Sequence, residues 1–303
     1  GAGRGGDILK WIDNRLNVLV VEPDKDNLME LTKRLKEQGL NKINENVYEY
    51  KYADGNTIQI HILNTIGENY KAIEKAFQNG FQRKYADAII MFNSLTFFFK
   101  NAKTFISLNH TISRLLHPGN GKFIGMVMDG TQTKQLLIPK YDLKTKLKNM
   151  NANEIYNWDQ KKVTKTVYVD DKFHINKKWK ICSIDKLKLT AIVNELEMEY
   201  KKKIREKTWS IEIPNRITNN SLGNKIKIHL KDTIVSNQIE YLVDFEYLTK
   251  QLIEKGIVIK EDWFLYNEHL STSQKKLNEL YRVFRFERVT SVPTEQIEKQ
   301  SIR

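Results

Sequence analysis

An α/β fold built on a doubly wound, mostly parallel sheet is what the order of segments predicts. Three observations lead there. Short apolar runs alternate with amphipathic helical periods through roughly the first 130 residues. A glycine-rich turn, G-x-G-x-x-G over Gly1, Gly3 and Gly6, runs into a helix-like stretch. An acid, Glu22, ends the first apolar run about 20 residues after that turn begins, and ligands of such folds sit at the carboxyl ends of the strands.

Each element has its own signal. "NVLVVE" (Asn17–Glu22) is a short apolar run of the kind buried in parallel sheets. "DKDNLMELTKRLKEQG" puts Leu28, Leu31 and Leu35 on one helical face and offers Gly39 as its stop. "VYEYKYADG" alternates and ends in a turn. "ENYKAIEKAFQNG" has a helical period, and "YADAIIMFN" reads as a strand. "KTFISLNHTISRLLHPG" aligns Phe105, Leu108, Ile112 and Leu115, and its "HPG" is a breaker. "GKFIGMVMDG" is a further strand. Residues 184–207 and 238–256 read as helices, "LNELYRVFRFERV" as a closing strand, and the residues from Pro293 as a loose end. The stretch from about 131 to 222 is rich in Lys and Asn and reads as an elaboration on the core domain.

Composition narrows the function classes. Of 303 residues, 40% are hydrophobic, enough for a packed core. The formal charge is +13, an excess that suits a polyanionic partner. Lysine clusters at Lys177, Lys178 and Lys180, and at Lys201–Lys203 with Arg205, read as phosphate contacts or as solvated helix faces. One cysteine, Cys182, rules out an intramolecular disulfide framework and fits a reducing compartment. The six histidines show no metal-ligand spacing, so no metal site is expected. No apolar run reaches membrane-spanning length, and no membrane partner is expected.

The glycine turn with an acid after the next strand is shared by dinucleotide sites and S-adenosylmethionine (AdoMet) sites. Two features point to AdoMet. Arg4 and Asp7 crowd the loop with charge, whereas a pyrophosphate wants bare backbone. Asp54, in "YADG", supplies a carboxylate that can accept a hydrogen bond from an adenine amine.

"GAGRGGDILKW" resembles the "GxGKGGDLxKW" motif of messenger-RNA cap guanine-N7 methyltransferases. Further matches follow in the same order. "KYADG" is similar to that family's "ADxS" turn, "MFNSLTFFF" to "QFALHYxF", and "NGKFIGMVMDG" to "GGxFIGTxPDG". "GNKIKIHL" is similar to "GNxIYxVxF", "QIEYLVDFEYL" to "PEYLVxFxxL", and "LYRVFRF" to "LYLVFAF". The likeness lapses between about 131 and 222. That insertion, and "MDG" in place of "TPDG", look more like the capping enzymes of large cytoplasmic DNA viruses (poxviruses and asfarviruses) than like cellular ones.

The resemblance implies a Rossmann-like class I AdoMet-dependent methyltransferase domain over residues 1–303. The AdoMet half would be about 1–130, the insertion about 131–222, and the cap-binding and closing elements about 223–290. In this family the central strand lies upstream of the glycine loop, so the domain is expected to lack an amino-terminal part here. The reaction would move a methyl group from AdoMet to guanine N7 of capped mRNA, leaving S-adenosylhomocysteine. N7 has a free lone pair at neutral pH, so no acid–base residue is expected.

By resemblance, Gly1, Gly3, Arg4 and Asp7 line the methionine end of AdoMet, Glu22 takes the ribose hydroxyls, and Asp54 the adenine. Phe92 and Asn93 wall the site. Glu240 accepts from guanine N1 and N2, and Tyr281 lies near the cap. Phe97 stands where the family has tyrosine, Thr96 where it has histidine, and Met128 where it has a proline against the base; Arg4 would reach toward the cap. The expected partners are the 5′ end of capped mRNA and, within a longer polypeptide, triphosphatase and guanylyltransferase domains, in the cytoplasm (a viral factory or virion if viral), with no DNA specificity. Competing readings are a methyltransferase on another RNA or small molecule, and a non-catalytic capping subunit. A guanylyltransferase nucleophile in "KYADG" has its lysine one residue out of place.

Overall fold

A computed structural model describes residues 1–137, 203–206, 208–214, 217–218, 220–231, 237–266 and 270–290. The Lys177–Lys180 and Lys201–Lys202 clusters, Cys182 and His174 lie outside the described residues.

The glycine loop feeds a short helix, α1 (Ile8–Asp13), then β1 (Val18–Val21). Helix α2 (Lys25–Glu37) starts where the Asp24 carboxylate accepts from Asn27 N at 2.8 Å, a standard N-cap. Leu31 and Leu35 are its buried ridge, and Gly39, at φ +81°, stops it. A hairpin pair follows, β2 (Asn41–Asn44) and β3 (Val47–Lys51), then β4 (Thr57–Leu63), which runs parallel to β1. These strands form one half-sheet in the order β1-β4-β3-β2. Its core is Ile8, Trp11, Ile12, Val20, Leu31, Leu35, Tyr48, Ile58 and Ile60.

The second half-sheet grows in the opposite direction. Helix α3 (Tyr70–Phe81) leads to β5 (Ala88–Phe92). A 3-10 turn (Leu95–Lys100) and α4 (Ala102–Leu115) follow, with a reciprocal capping box between Asn101 and Thr104 at the start of α4. Then come β6 (Lys122–Met128), parallel to β5, and α5 (Gly130–Leu137). Antiparallel β11 (Ile257–Phe264) and β12 (Tyr281–Arg288) extend it in the order β5-β6-β12-β11. Phe123, Phe284 and Phe286 on one face pack with Phe105, Leu108 and Ile112 of α4 and with Leu248 and Leu252 of α6 (Phe245–Ile253). Among the described strands, parallel ladders are those of β1–β4 and β5–β6, and antiparallel strands extend both half-sheets outward. Order reversal between β1 and β5 makes that junction the switch point of a doubly wound fold, where ligands bind.

A third, antiparallel sheet joins β7 (Lys203–Arg205), β8 (Trp209–Glu212), β9 (Lys225–Leu230) and β10 (Gln238–Tyr241). Its inner residues Trp209, Ile211, Ile226 and Ile228 close over Met128, Leu137 and Leu280. Helix α7 (Thr272–Asn278) lies before β12, and Trp209 Nε1 donates to Ser273 O at 2.7 Å in it. Two expectations from periodicity change here. Lys203–Arg205, taken as the end of a helix over 184–207, is a strand paired with β8. Gln238–Tyr241, taken as the start of a helix over 238–256, pairs antiparallel with β9. That helix begins only at the Asp244 cap, which accepts from Tyr247 N. Cross-strand partners far away in sequence outweigh local helical period in both segments.

Candidate functional site

The carboxyl ends of β1, β4, β5 and β6 meet at one edge, and the glycine loop folds onto it. Gly3 takes φ +54° and Gly5 φ +77°, a left-handed backbone that suits glycine. Gly3 N donates to Glu22 Oε2 at 2.8 Å. The other oxygen, Oε1, accepts from Asp24 N (3.2 Å) and Asn27 Nδ2 (3.3 Å). Glu22 is thus buried and held in one orientation, with lone-pair capacity left on each oxygen. A Cβ on Gly1 would stand 3.3 Å from Glu22 Oε2 and 3.5 Å from Ser94 Cβ, so Gly1 lies between the ends of β1 and β5.

The glycine that packing demands is not one of the three in the sequence motif. A Cβ on Gly5 would lie 2.5 Å from Leu31 Cδ1 of α2, whereas one on Gly6 meets nothing within 4 Å. Arg4 is exposed at the loop. Asp7 precedes α1 and pairs with exposed Lys10 at 2.6 Å.

Asp54 is displaced from this edge. It lies in the β3–β4 turn, before β4, and β4 is parallel to β1 in the register Val18↔Ile60 to Val21↔Leu63. Asp54 therefore stands at the opposite end of the strands from Glu22, one strand length away, roughly 20 Å at about 3.3 Å per residue. There it pairs with Arg15 Nη1 at 2.6 Å, and that contact holds its carboxyl below the usual range. The residues after β4 that do reach the edge are Asn64 and Thr65. Asn64 Nδ2 donates to Glu22 O (3.0 Å) and Pro23 O (3.1 Å).

At the end of β5, Phe92 is 39% exposed and Asn93 takes φ +58°, with its N–H donating to Met126 O. Ser94 is buried, and its Oγ has no hydrogen-bond partner among the described residues. Phe98 and Phe99 are core, while Phe97 is 39% exposed. Thr96 is buried and does not face solvent at all. Its hydroxyl donates to Tyr241 O at 2.7 Å and accepts from Tyr241 N at 2.8 Å.

This brings Glu240 to the site. It is 8% exposed, and burial pushes its carboxyl up to about 7, against the opposing pull of the Thr96 hydroxyl. Tyr281 lies opposite Met128 at the start of β12. Burial raises the pKa of its phenol, and the charge of Glu240 adds to the rise. Met128 is a core residue beneath them, packed with Leu280 and Trp209.

Sequence reasoning missed a clamp beside this group. Arg282 Nε lies 3.0 Å from Asp129 Oδ2 and its Nη1 3.0 Å from Asp262 Oδ2. Its guanidinium sits between the rings of Phe245 (4.4 Å) and Phe264 (4.7 Å). Asp129 also caps α5 through Gln132 N, and burial raises its pKa. Among the described residues no acidic, histidine and cysteine group has the make-up of a metal site.

The edge suits a cationic, nucleoside-bearing ligand such as AdoMet. It offers a buried carboxylate for vicinal hydroxyls, a glycine backbone that approaches closely, an aromatic ring, and an unpartnered buried hydroxyl. Fold and site together define an α/β protein with its ligand edge at a switch point.

No protein-family model and no curated protein matches the chain. Solved structures do. An S-adenosylmethionine-dependent methyltransferase from Clostridium acetobutylicum shares 10% identity and a TM-score of 0.46, covering 94% of this chain and 80% of that one. One from Methanosarcina mazei gives 11% and 0.46 over 96% and 91%. The glycopeptide N-methyltransferase MtfA, solved with S-adenosylmethionine, gives 11% and 0.41 over 94% and 83%.

Proposed function

We propose that this chain is an AdoMet-dependent methyltransferase acting on guanine N7 of the mRNA cap. The observation that carries this reading is the direct link between two half-sites. The turn after β5, beside the glycine loop and Glu22, is hydrogen-bonded through Thr96 to the strand that carries buried Glu240.

Bound AdoMet supplies a methyl group on a cationic sulfur. The residues of this chain orient it. Glu22 faces the ribose hydroxyls, the Gly1–Gly3 backbone the methionine end, and the Phe92 ring the sulfonium. Asn64 and Thr65 replace Asp54 on the adenine side. Ser94 Oγ has a hydrogen bond left to give. Glu240, ionised, accepts from guanine N1–H and N2–H, a donor pair that adenine lacks. N7 needs no base, and holding it in line with the methyl group is worth roughly 7–11 kcal/mol by effective-molarity arguments. The +13 charge favours a polyanionic substrate.

The test is methyl transfer from labelled AdoMet to GpppA-capped RNA and to the same RNA uncapped, with the product identified by mass spectrometry. Label on the cap guanine alone is expected. Equal labelling of both RNAs removes the cap assignment and leaves the methyltransferase; label on neither, with no AdoMet binding by calorimetry, removes both.

A further inference from the structure

The third sheet has two faces of opposite character. Ile204, Trp209, Ile211, Ile226 and Ile228 alternate onto the inner face, against Met128 and Leu137. The residues between them lie on the outer face and keep solvent contact. Pairing sorts these into rows. Arg205 stands opposite Ser210, and Ser210 opposite His229. Glu212 stands opposite Lys227, Lys227 opposite Ile239, and Lys225 opposite Tyr241. Such neighbours hold their Cβ atoms about 4.5–5.5 Å apart. Successive rows are roughly 6.6 Å apart, two residues at about 3.3 Å each.

Charge on this face is one-sided. Arg205, Lys225 and Lys227 have no ion-pair partner among the described residues, and Glu212 is the one acid in their rows. Arginines elsewhere behave differently: Arg83, Arg114, Arg282 and Arg285 each pair with a carboxylate. Cations gathered without counter-charges repel one another, and an anion laid across them removes that cost. The donor types are those that hold phosphate: a guanidinium fork, ammonium groups, a hydroxyl and an imidazole. His229 Nδ1 is buried and has no hydrogen-bond partner among the described residues. Ile239 is the only large apolar side chain exposed on the described strands of this sheet, too little for a lipid surface to bury.

β10 connects this face to the guanine-reading group. It buries Glu240 on the inner side and turns Ile239 outward. A chain held by its terminal guanine at Glu240 and rounding β10 meets Lys227 one strand over, then the Arg205 row. We propose that the outer face of this sheet binds the backbone phosphates of single-stranded RNA, the stretch that follows the cap. The Arg205–Ser210–His229 row seats one phosphate, and Lys225 and Lys227 hold its neighbours. The route of the strand rests on the cap reading, since Glu240 sets where it starts; the phosphate contacts do not.

The test measures binding of a short unstructured RNA, capped and uncapped, by fluorescence anisotropy from about 50 to about 200 mM salt. With Arg205→Gln and Lys227→Gln together, affinity should fall about tenfold at the low-salt end. The slope of log affinity on log salt should lessen by about 1.4, two phosphate contacts at about 0.7 each. Methyl transfer to the cap dinucleotide and the thermal melt should not move. Lys71→Gln with Lys75→Gln removes the same charge from exposed positions on α3 and should leave the slope as it was. Ser210→Asp sets a carboxylate between Arg205 and His229 and should reproduce the loss; it decides the matter if the double variant melts early. A wild-type slope overturns the proposal. So does an equal loss in the α3 control, which would make the effect one of net charge, and so does a loss seen for phosphatidylserine vesicles or inorganic phosphate but not for RNA. Uncapped RNA reads this face and the dinucleotide reads Glu240. A chain that shows the expected RNA losses yet transfers no methyl group to the dinucleotide upholds the phosphate face and removes the cap reading.

Discussion

Thr96 and Tyr241, 145 residues apart, form a closed pair of hydrogen bonds: the threonine hydroxyl donates to Tyr241 O and accepts from Tyr241 N. One side chain thereby serves as a ladder partner for β10. It ties the turn after β5 to the strand that bears Glu240. Thr96→Val keeps the shape and removes both bonds, leaving a part-buried N–H and C=O without this partner. The expected loss is about 1–3 kcal/mol of stability by urea denaturation, together with a tenfold or greater fall in transfer to capped RNA at unchanged AdoMet affinity. Thr96→Ser should behave as wild type. A silent Thr96→Val would show that β10 is held by its other contacts.

Gly5 and Gly6 look alike in sequence and differ in space. Gly5→Ala meets Leu31 and Ile8 at under 3 Å in a left-handed backbone. Overpacking of this kind costs about 1–3 kcal/mol. Gly6→Ala meets nothing within 4 Å. Thermal melts should drop for Gly5→Ala and stay put for Gly6→Ala; the reverse order would refute the loop geometry.

Asp54 and Glu22 stand at opposite ends of parallel strands. Asp54→Asn should therefore leave AdoMet affinity unchanged, and as an exposed ion pair with Arg15 it should cost at most about 1 kcal/mol of stability. Glu22→Gln should weaken AdoMet binding tenfold or more by calorimetry. Parallel loss in both variants would mean that Asp54 acts on the ligand after all.

The glycine loop, Glu22 and the elements β1, α2, β3, α3, β5, α4 and β6 were legible because their signals are local: spacing, period and breakers; β2 and β4 were not read from the sequence. Asp54 was misplaced because alternation in "VYEYKYADG" marks a strand without its direction. That β3 folds back in a hairpin, leaving β4 to run beside β1, is decided by pairing alone. Glu240 and Tyr281 were reached only through resemblance, since nothing in "IEYLV" tells a buried carboxylate from a solvated one. Thr96, Gly5 and the Arg282 clamp were invisible for one shared reason. Each owes its role to a partner brought close by folding, and in "SLTFF" a threonine that pins a distant strand reads like any other.

Glu240 links pH to both stability and function, with opposite signs. Its folded carboxyl titrates at about 7, above the ordinary 4.5, because burial disfavours the charged form. Below pH 4.5 it is protonated in both states and costs nothing. Between 4.5 and 7 the unfolded chain releases the proton while the folded chain keeps it, so stability falls as pH rises. Above 7 the folded protein carries the full cost of a buried charge, about 3 kcal/mol at one pKa unit per 1.36 kcal/mol. Glu240→Gln lacks this titration and should flatten the stability profile over that window, making the variant the more stable protein at pH 8. Guanine reading asks for the other form, since only the carboxylate accepts from both N1–H and N2–H. Transfer to capped RNA should therefore rise with a midpoint near pH 7, while AdoMet affinity stays level. Glu240→Gln turns one acceptor into a donor and should lose transfer at every pH, again with AdoMet affinity intact. Denaturation curves and single-turnover rates on the same preparations separate the outcomes. A flattened stability profile with transfer preserved would make Glu240 a structural acid and move the base-reading site elsewhere.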